Sequence, residues 1–330
     1  MRQSRAEFVA ALAALSVAAS ALAQPAAKAP AQVGKVSFPT SCNAAVQPDF
    51  ERGVAMLHSF WFGQARRIFS GVLERDPHCG IAAWGVATDL VGNPYGGNAS
   101  AKDAERAREV LERGRSVVKT ERERIYVEAI AEYWDRVADR SLAARMKALA
   151  AAFEVLAQRF PEDDEAQVFH ALYLSATQSL SDKSFAPSLK AAAILEEQFR
   201  KHPQHPGVAH YLIHSYDYPP IAGRGLAAAK RYADLAPSAP HALHMPSHIF
   251  TRVGAWQESA ATNLRSAEAA KAEKLAGDRL HAMDYMVYAY LQLARDREAG
   301  AAAAEAIAIT GVDPGHFGIA YARAAMPARV

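Results

Sequence analysis

One unit recurs along this 330-residue chain: two helix-length stretches rich in Ala, Leu, Glu and Arg, closed by Pro or Gly. Residues 125–134 and 142–160 form such a pair, ended by Pro161, and 166–177 with 189–199 form another, ended by Pro203. Three more follow: 208–216 with 226–235 before Pro240, 243–253 with 258–270, and 282–293 with 299–309. Near the start, one pair surrounds Gly53 to Pro77, and a second opens at Trp84-Gly85 and carries the loop Asn93-Pro94-Tyr95-Gly96-Gly97. Strand signals are nearly absent. A single helical pair cannot bury its apolar face, so neighbours must stack and share a core. The expectation is an all-α solenoid of about seven helix-turn-helix pairs over residues 46–310, with a tail at 311–330.

Gly53, Ala65, Phe69 and Pro77 have the spacing of the small, small, aromatic and proline positions of a tetratricopeptide repeat. The chain resembles that superfamily over most of its length, which implies a right-handed α-solenoid whose first helices line a concave groove. Hydrophobic residues make up 51% and charged residues 22%, which excludes disorder across the whole chain. The formal charge of +2, from 37 basic and 35 acidic residues, gives no electrostatic case for nucleic acid or an anionic membrane surface.

Residues 1–23 read as a secretory signal: Arg2 and Arg5, then an apolar run ending in Ala21-Leu22-Ala23, a small-x-small site that sets cleavage after Ala23. The run is short for a bilayer span of about 20 residues, and no later stretch is long and apolar enough to form one. A periplasmic or secreted protein is expected, with a loose mature N-terminus over 24–45. In that oxidising compartment Cys42 and Cys79, the two cysteines of the chain, either pair as a disulfide or remain separate thiols.

Seven of the twelve histidines lie in the 47 residues from His202 to His248, where uniform scatter would place about two. His210 to His244 spans 34 residues and so does His214 to His248, one repeat period. The repeat resemblance implies a register with Gly207, His210, His214 and Asp217 on the groove face of one helix. It places His241, His244, His248 and Thr251 on the next, and His281, Asp284, Tyr288 and Leu291 on a third. Residues four apart on a helix have Cβ atoms about 5–6 Å apart, and packed helices lie about 8–10 Å apart. One cation between two such helices can collect ligands from both.

The candidate ligands are therefore His210, His214, Asp217, His241, His244, His248, His281 and Asp284, more than one ion needs. Imidazole and carboxylate suit zinc, copper, iron or manganese, and a carboxylate can instead orient a ligating histidine from outside. Asp217, Asp284 and Tyr288 are the candidate catalytic groups and Arg252 a candidate anion contact. No phosphate loop, nucleophile elbow or His-Glu-x-x-His zinc signature is present. His58, His78, His170, His202, His205 and His316 read as structural or surface residues.

The blocks Gly207-Val-Ala-His-Tyr-Leu-Ile-His-Ser-Tyr-Asp217 and His241-Ala-Leu-His-Met-Pro-Ser-His-Ile-Phe250 look like a family of uncharacterised bacterial tetratricopeptide-repeat proteins. The segments Arg52 to Trp61 and His281 to Tyr285 are similar to it as well. That resemblance implies a fold and supplies no activity. Two functions stay open. One is a divalent-metal site for sequestration or metal-assisted chemistry on a small polar or peptide substrate. The other is a non-enzymatic scaffold whose groove holds a peptide or an envelope protein partner.

Overall fold

The computed structural model describes residues 30–96, 99–312, 326 and 329. The chain divides into two units, Met1–Pro30 and Ala31–Val330, and all that follows concerns the second. Residues 1–23, read above as a secretory signal, and most of the residues beyond 312 lie outside the described residues.

Fifteen α-helices and two short 3-10 turns make up the secondary structure among the described residues. In chain order the helices are α1 (Gln47–His58), α2 (Gln64–Arg75), α3 (Gly80–Val91), α4 (Ala101–Val117) and α5 (Glu121–Asp135). There follow α6 (Leu142–Arg159), α7 (Asp164–Ser175), α8 (Ala186–Lys201), α9 (Pro206–Tyr216) and α10 (Leu226–Leu235). The last five are α11 (Pro240–His244), α12 (Pro246–Arg252), α13 (Trp256–Ala272), α14 (Ala276–Gln292) and α15 (Asp296–Ala308). Five helix starts are capped by a side chain, four of them in consecutive helices. Ser100 and Asp103 form a reciprocal capping box on α4, and Thr120, Ser141 and Asp163 accept from the N3 amides of α5, α6 and α7. The stretch 240–252 is interrupted because Pro246 has no N–H to continue the helical ladder.

Consecutive helices pack on one another along most of the chain, and no helix among the described residues is long and apolar enough to cross a membrane. The core is continuous from Val33 to Phe250, with a second cluster around α14 and α15. Gly53 and Gly85 both meet the ring of Phe69. A Cβ on Gly53 would sit 2.9 Å from the Phe69 ring, and one on Gly85 would sit 2.6 Å from it. The two glycines let α1 and α3 close on the ring from both sides.

Two features differ from the sequence reading. The described part of the segment assigned to a loose N-terminus, residues 30–45, is tied to the helices by specific contacts. Lys35 donates to the Gln204 carbonyl, Gln32 and Ser238 exchange hydrogen bonds, and Phe38 is fully buried among Phe50, Trp84 and Tyr126. Apolar Val33 and Phe38 anchor this stretch despite its three nearby prolines. Helix α1 also packs directly on α9, bringing the first pair against the fifth.

Cys42 and Cys79 form a disulfide with Cα atoms 4.7 Å apart, tying the N-terminal segment to the start of α3. Asp76 lies beside them, but both sulfurs are used by the bond, so this trio offers no thiolate to a metal.

Phe69→Ala would leave a cavity between Gly53 and Gly85. The expected cost is about 3–5 kcal/mol of unfolding free energy, read by denaturant titration. A loss below about 1 kcal/mol would mean that this ring is not a keystone of the first two pairs.

Candidate metal centre

Six histidines converge as two groups of three. His210, His214 and His241 form one, and His244, His248 and His281 the other. Within each group the candidate ligand atoms lie within 4.8 Å of one another. Helix α9 supplies His210 and His214 one turn apart, α11 supplies His241 and His244, α12 supplies His248 and α14 supplies His281.

The outer partners of these rings decide what the inner nitrogens can do. His210 donates its Nδ1 hydrogen to the backbone carbonyl of His58 at 2.6 Å, so its Nε2 carries a lone pair. That Nε2 lies 3.1 Å from His214 Nε2 and 3.2 Å from His241 Nε2. In the second group Asn263 donates its amide to the Ser259 carbonyl, which turns Oδ1 toward His244 Nδ1 at 2.7 Å. His248 Nδ1 faces the carboxylate of Asp217 at 2.8 Å. Both rings therefore spend their hydrogen outward, and their Nε2 atoms meet 3.0 Å apart. Two bare lone pairs at that distance repel unless a cation sits between them.

The spacing fits a metal ion. Two imidazole nitrogens bound to one ion at about 2.0–2.1 Å lie about 2.9–3.4 Å apart for bond angles between right and tetrahedral. The observed Nε2 separations of 3.0, 3.1 and 3.2 Å fall in that interval. At four of the six rings a proton is a poor substitute. Burial pushes His210 down to about 3, and burial with the neighbouring imidazoles holds His214, His241 and His244 well below the usual histidine value. Neutral imidazole is the form that ligates a metal.

The structure separates the eight sequence candidates. All six histidines are in the groups, but neither carboxylate is. Asp217 is shared between His248 and Arg252, whose Nε lies 2.8 Å from Oδ1, so it orients a ligand from outside. Asp284 is taken by Arg329, which also lies over the Tyr288 ring. Arg252 accordingly holds Asp217, leaving it no role as a free anion contact. Tyr288 packs edge-on against Trp256 and is 37% exposed, whereas Tyr285, one turn from His281, reaches the site. Its hydroxyl lies 3.3 Å from His248 Nδ1, and its ring packs on His244 and His281.

His210 and His244 were expected on an open groove face, yet both are fully buried. The approach of α1 to α9 explains the first: Phe60, just past α1, sets its ring 4.4 Å from His210 and 5.2 Å from His241. Tyr95, from the Pro- and Gly-rich loop, stacks on His214 with centroids 4.0 Å apart.

His58, Glu165 and His205 make a third buried group with a different logic. Glu165 accepts from His58 Nε2 at 2.8 Å and from His205 Nε2 at 2.7 Å. His58 Nδ1 accepts from the Tyr211 hydroxyl, and His205 Nδ1 from the Val208 amide. Every ring nitrogen is used, so the trio is structural rather than ligating. Burial opposes ionisation of Glu165, but the two imidazoles on its oxygens outweigh burial and hold its carboxyl below the usual range. Gly207 is required here, since a Cβ would lie 2.5 Å from His58 Nδ1. The network fixes the residue whose carbonyl holds His210.

The metal-free protein should be acid-labile. The buried histidines have folded values depressed below the unfolded 6.5, so the unfolded chain binds protons first as pH falls. Melting temperature is expected to fall steadily from about pH 6.5 toward 3. A flat profile across that window would contradict the neutral, desolvated state of these rings. No family model matches this chain, and no curated protein matches it in sequence.

Proposed function

We propose that this chain is an exported, right-handed α-solenoid of seven helical pairs, related to the tetratricopeptide repeat superfamily, whose inner face binds two transition-metal ions. The pairs would be α1 with α2 and so on in turn, α11 and α12 together forming the first helix of the sixth. Each three-histidine group would hold one ion, as the clustered inner nitrogens favour. The carrying observation is the His244–His248 contact, where two Nε2 lone pairs meet at 3.0 Å with both outer nitrogens already bonded.

Export is supported by the signal-like first 23 residues and by the Cys42–Cys79 disulfide, a bond at home in an oxidising compartment. A three-histidine ion keeps at least one position open for water or substrate. The metal would then activate that water for attack on a small polar substrate, and the Tyr285 hydroxyl, with Asp217, would hold His248 from its outer nitrogen. Phe60, Tyr95 and Tyr285 pack on the histidine rings and leave room for a small substrate more readily than for a long peptide, which favours the metal reading over a peptide scaffold.

Metal content of the tag-free mature protein tests the assignment. The wild-type chain is expected to retain two ions. His214→Ala and His248→Ala should each retain at most one, and the double variant none, with unchanged helical circular dichroism. Two retained ions in either single variant would overturn it.

A further inference from the structure

We propose that the two groups are a single dinuclear copper centre that binds dioxygen between its ions. This rests on the metal reading above and goes beyond it by naming the ion, the coupling and the ligand.

The first observation is proximity. Across the groups, the His214 and His248 ring centroids are 5.8 Å apart and those of His241 and His244 are 5.9 Å apart. Within the groups, His214 and His241 are separated by 6.5 Å, and His248 and His281 by 6.2 Å. Spacings within the groups run from 4.3 to 6.5 Å, so the gaps across them fall inside the range of the groups' own members, and one small ligand can touch both ions.

The second observation is charge. All six donors are imidazoles, and each of the two nearby carboxylates pairs with an arginine, Asp217 with Arg252 (and with His248) and Asp284 with Arg329. Two divalent ions would place four positive charges among imidazoles with no carboxylate in the ligand set, a costly arrangement where the site is desolvated. Two cuprous ions halve that charge. Imidazole is an established ligand type for copper.

The chemistry then balances without another reactant. Each cuprous ion gives one electron to dioxygen, the O–O double bond becomes a single bond, and each oxidised copper gains a bond to oxygen. Copper is oxidised from +1 to +2 twice, and dioxygen is reduced to peroxide. No proton moves, and the net charge of the centre is the same before and after. The surroundings suit a small apolar gas: Phe60, Tyr95 and Tyr285 line the rings, while His281 is exposed and His214 and His248 are half-buried.

The test loads metal-free protein with two equivalents of cuprous ion without oxygen, then admits dioxygen. One dioxygen consumed per two coppers is expected, with a new near-ultraviolet absorption and no copper paramagnetic resonance because the two spins pair. His248→Ala should hold at most one copper and show the full signal of an isolated cupric ion. Two retained coppers that give two isolated cupric signals, or take up no dioxygen, would overturn the dinuclear inference and leave the metal reading standing. Protein that retains neither copper nor any other transition metal would overturn both.

Discussion

The centre depends on three hydrogen bonds that face away from it. The His58 carbonyl, the Asn263 amide oxygen and the Asp217 carboxylate each take the Nδ1 hydrogen of one ring. Each bond fixes a tautomer and aims a lone pair inward. Without them the imidazoles could satisfy one another as donors and acceptors, and the cluster would be an ordinary buried hydrogen-bond network. With them, His244 and His248 face each other with nothing to share.

Those outer acceptors come from distant parts of the chain, so the fold itself builds the site. His58 reaches His210 only because α1 lies on α9, and that approach is fixed by Glu165 bridging His58 and His205 and by the missing side chain at Gly207. Asn263 belongs to α13, whose buried face also offers Thr262 to the Leu243 carbonyl and Ser266 to the Pro240 carbonyl. These polar contacts hold the interrupted stretch 240–252 in place. His244 and His248 meet across the break at Pro246 much as His210 and His214 meet on the unbroken α9.

How much was legible follows from the range of each interaction. The six histidines could be found because spacings of 4 and 34 residues are local and periodic. Their sorting into 210/214/241 and 244/248/281 could not, because it depends on how α9, α11, α12 and α14 are rotated against one another. Asp217 and Asp284 share the stripe, but their arginine partners were not paired with them by the register. Asn263 was missed because a groove register inspects only the first helix of a pair. A fully buried asparagine in an Ala-rich helix was the available signal. Tyr285 sat one turn from His281 and could have been preferred to Tyr288 on that ground alone. The covering of His210 by Phe60 spans some 150 residues, and no local pattern carries it.

X-ray absorption at the edge of the retained metal probes the central claim most directly. The account predicts about three imidazole nitrogens per ion at about 2.0–2.1 Å, with the outer-shell scattering characteristic of histidine rings. A first shell of carboxylate oxygen or sulfur, or one lacking imidazole scattering, would contradict it.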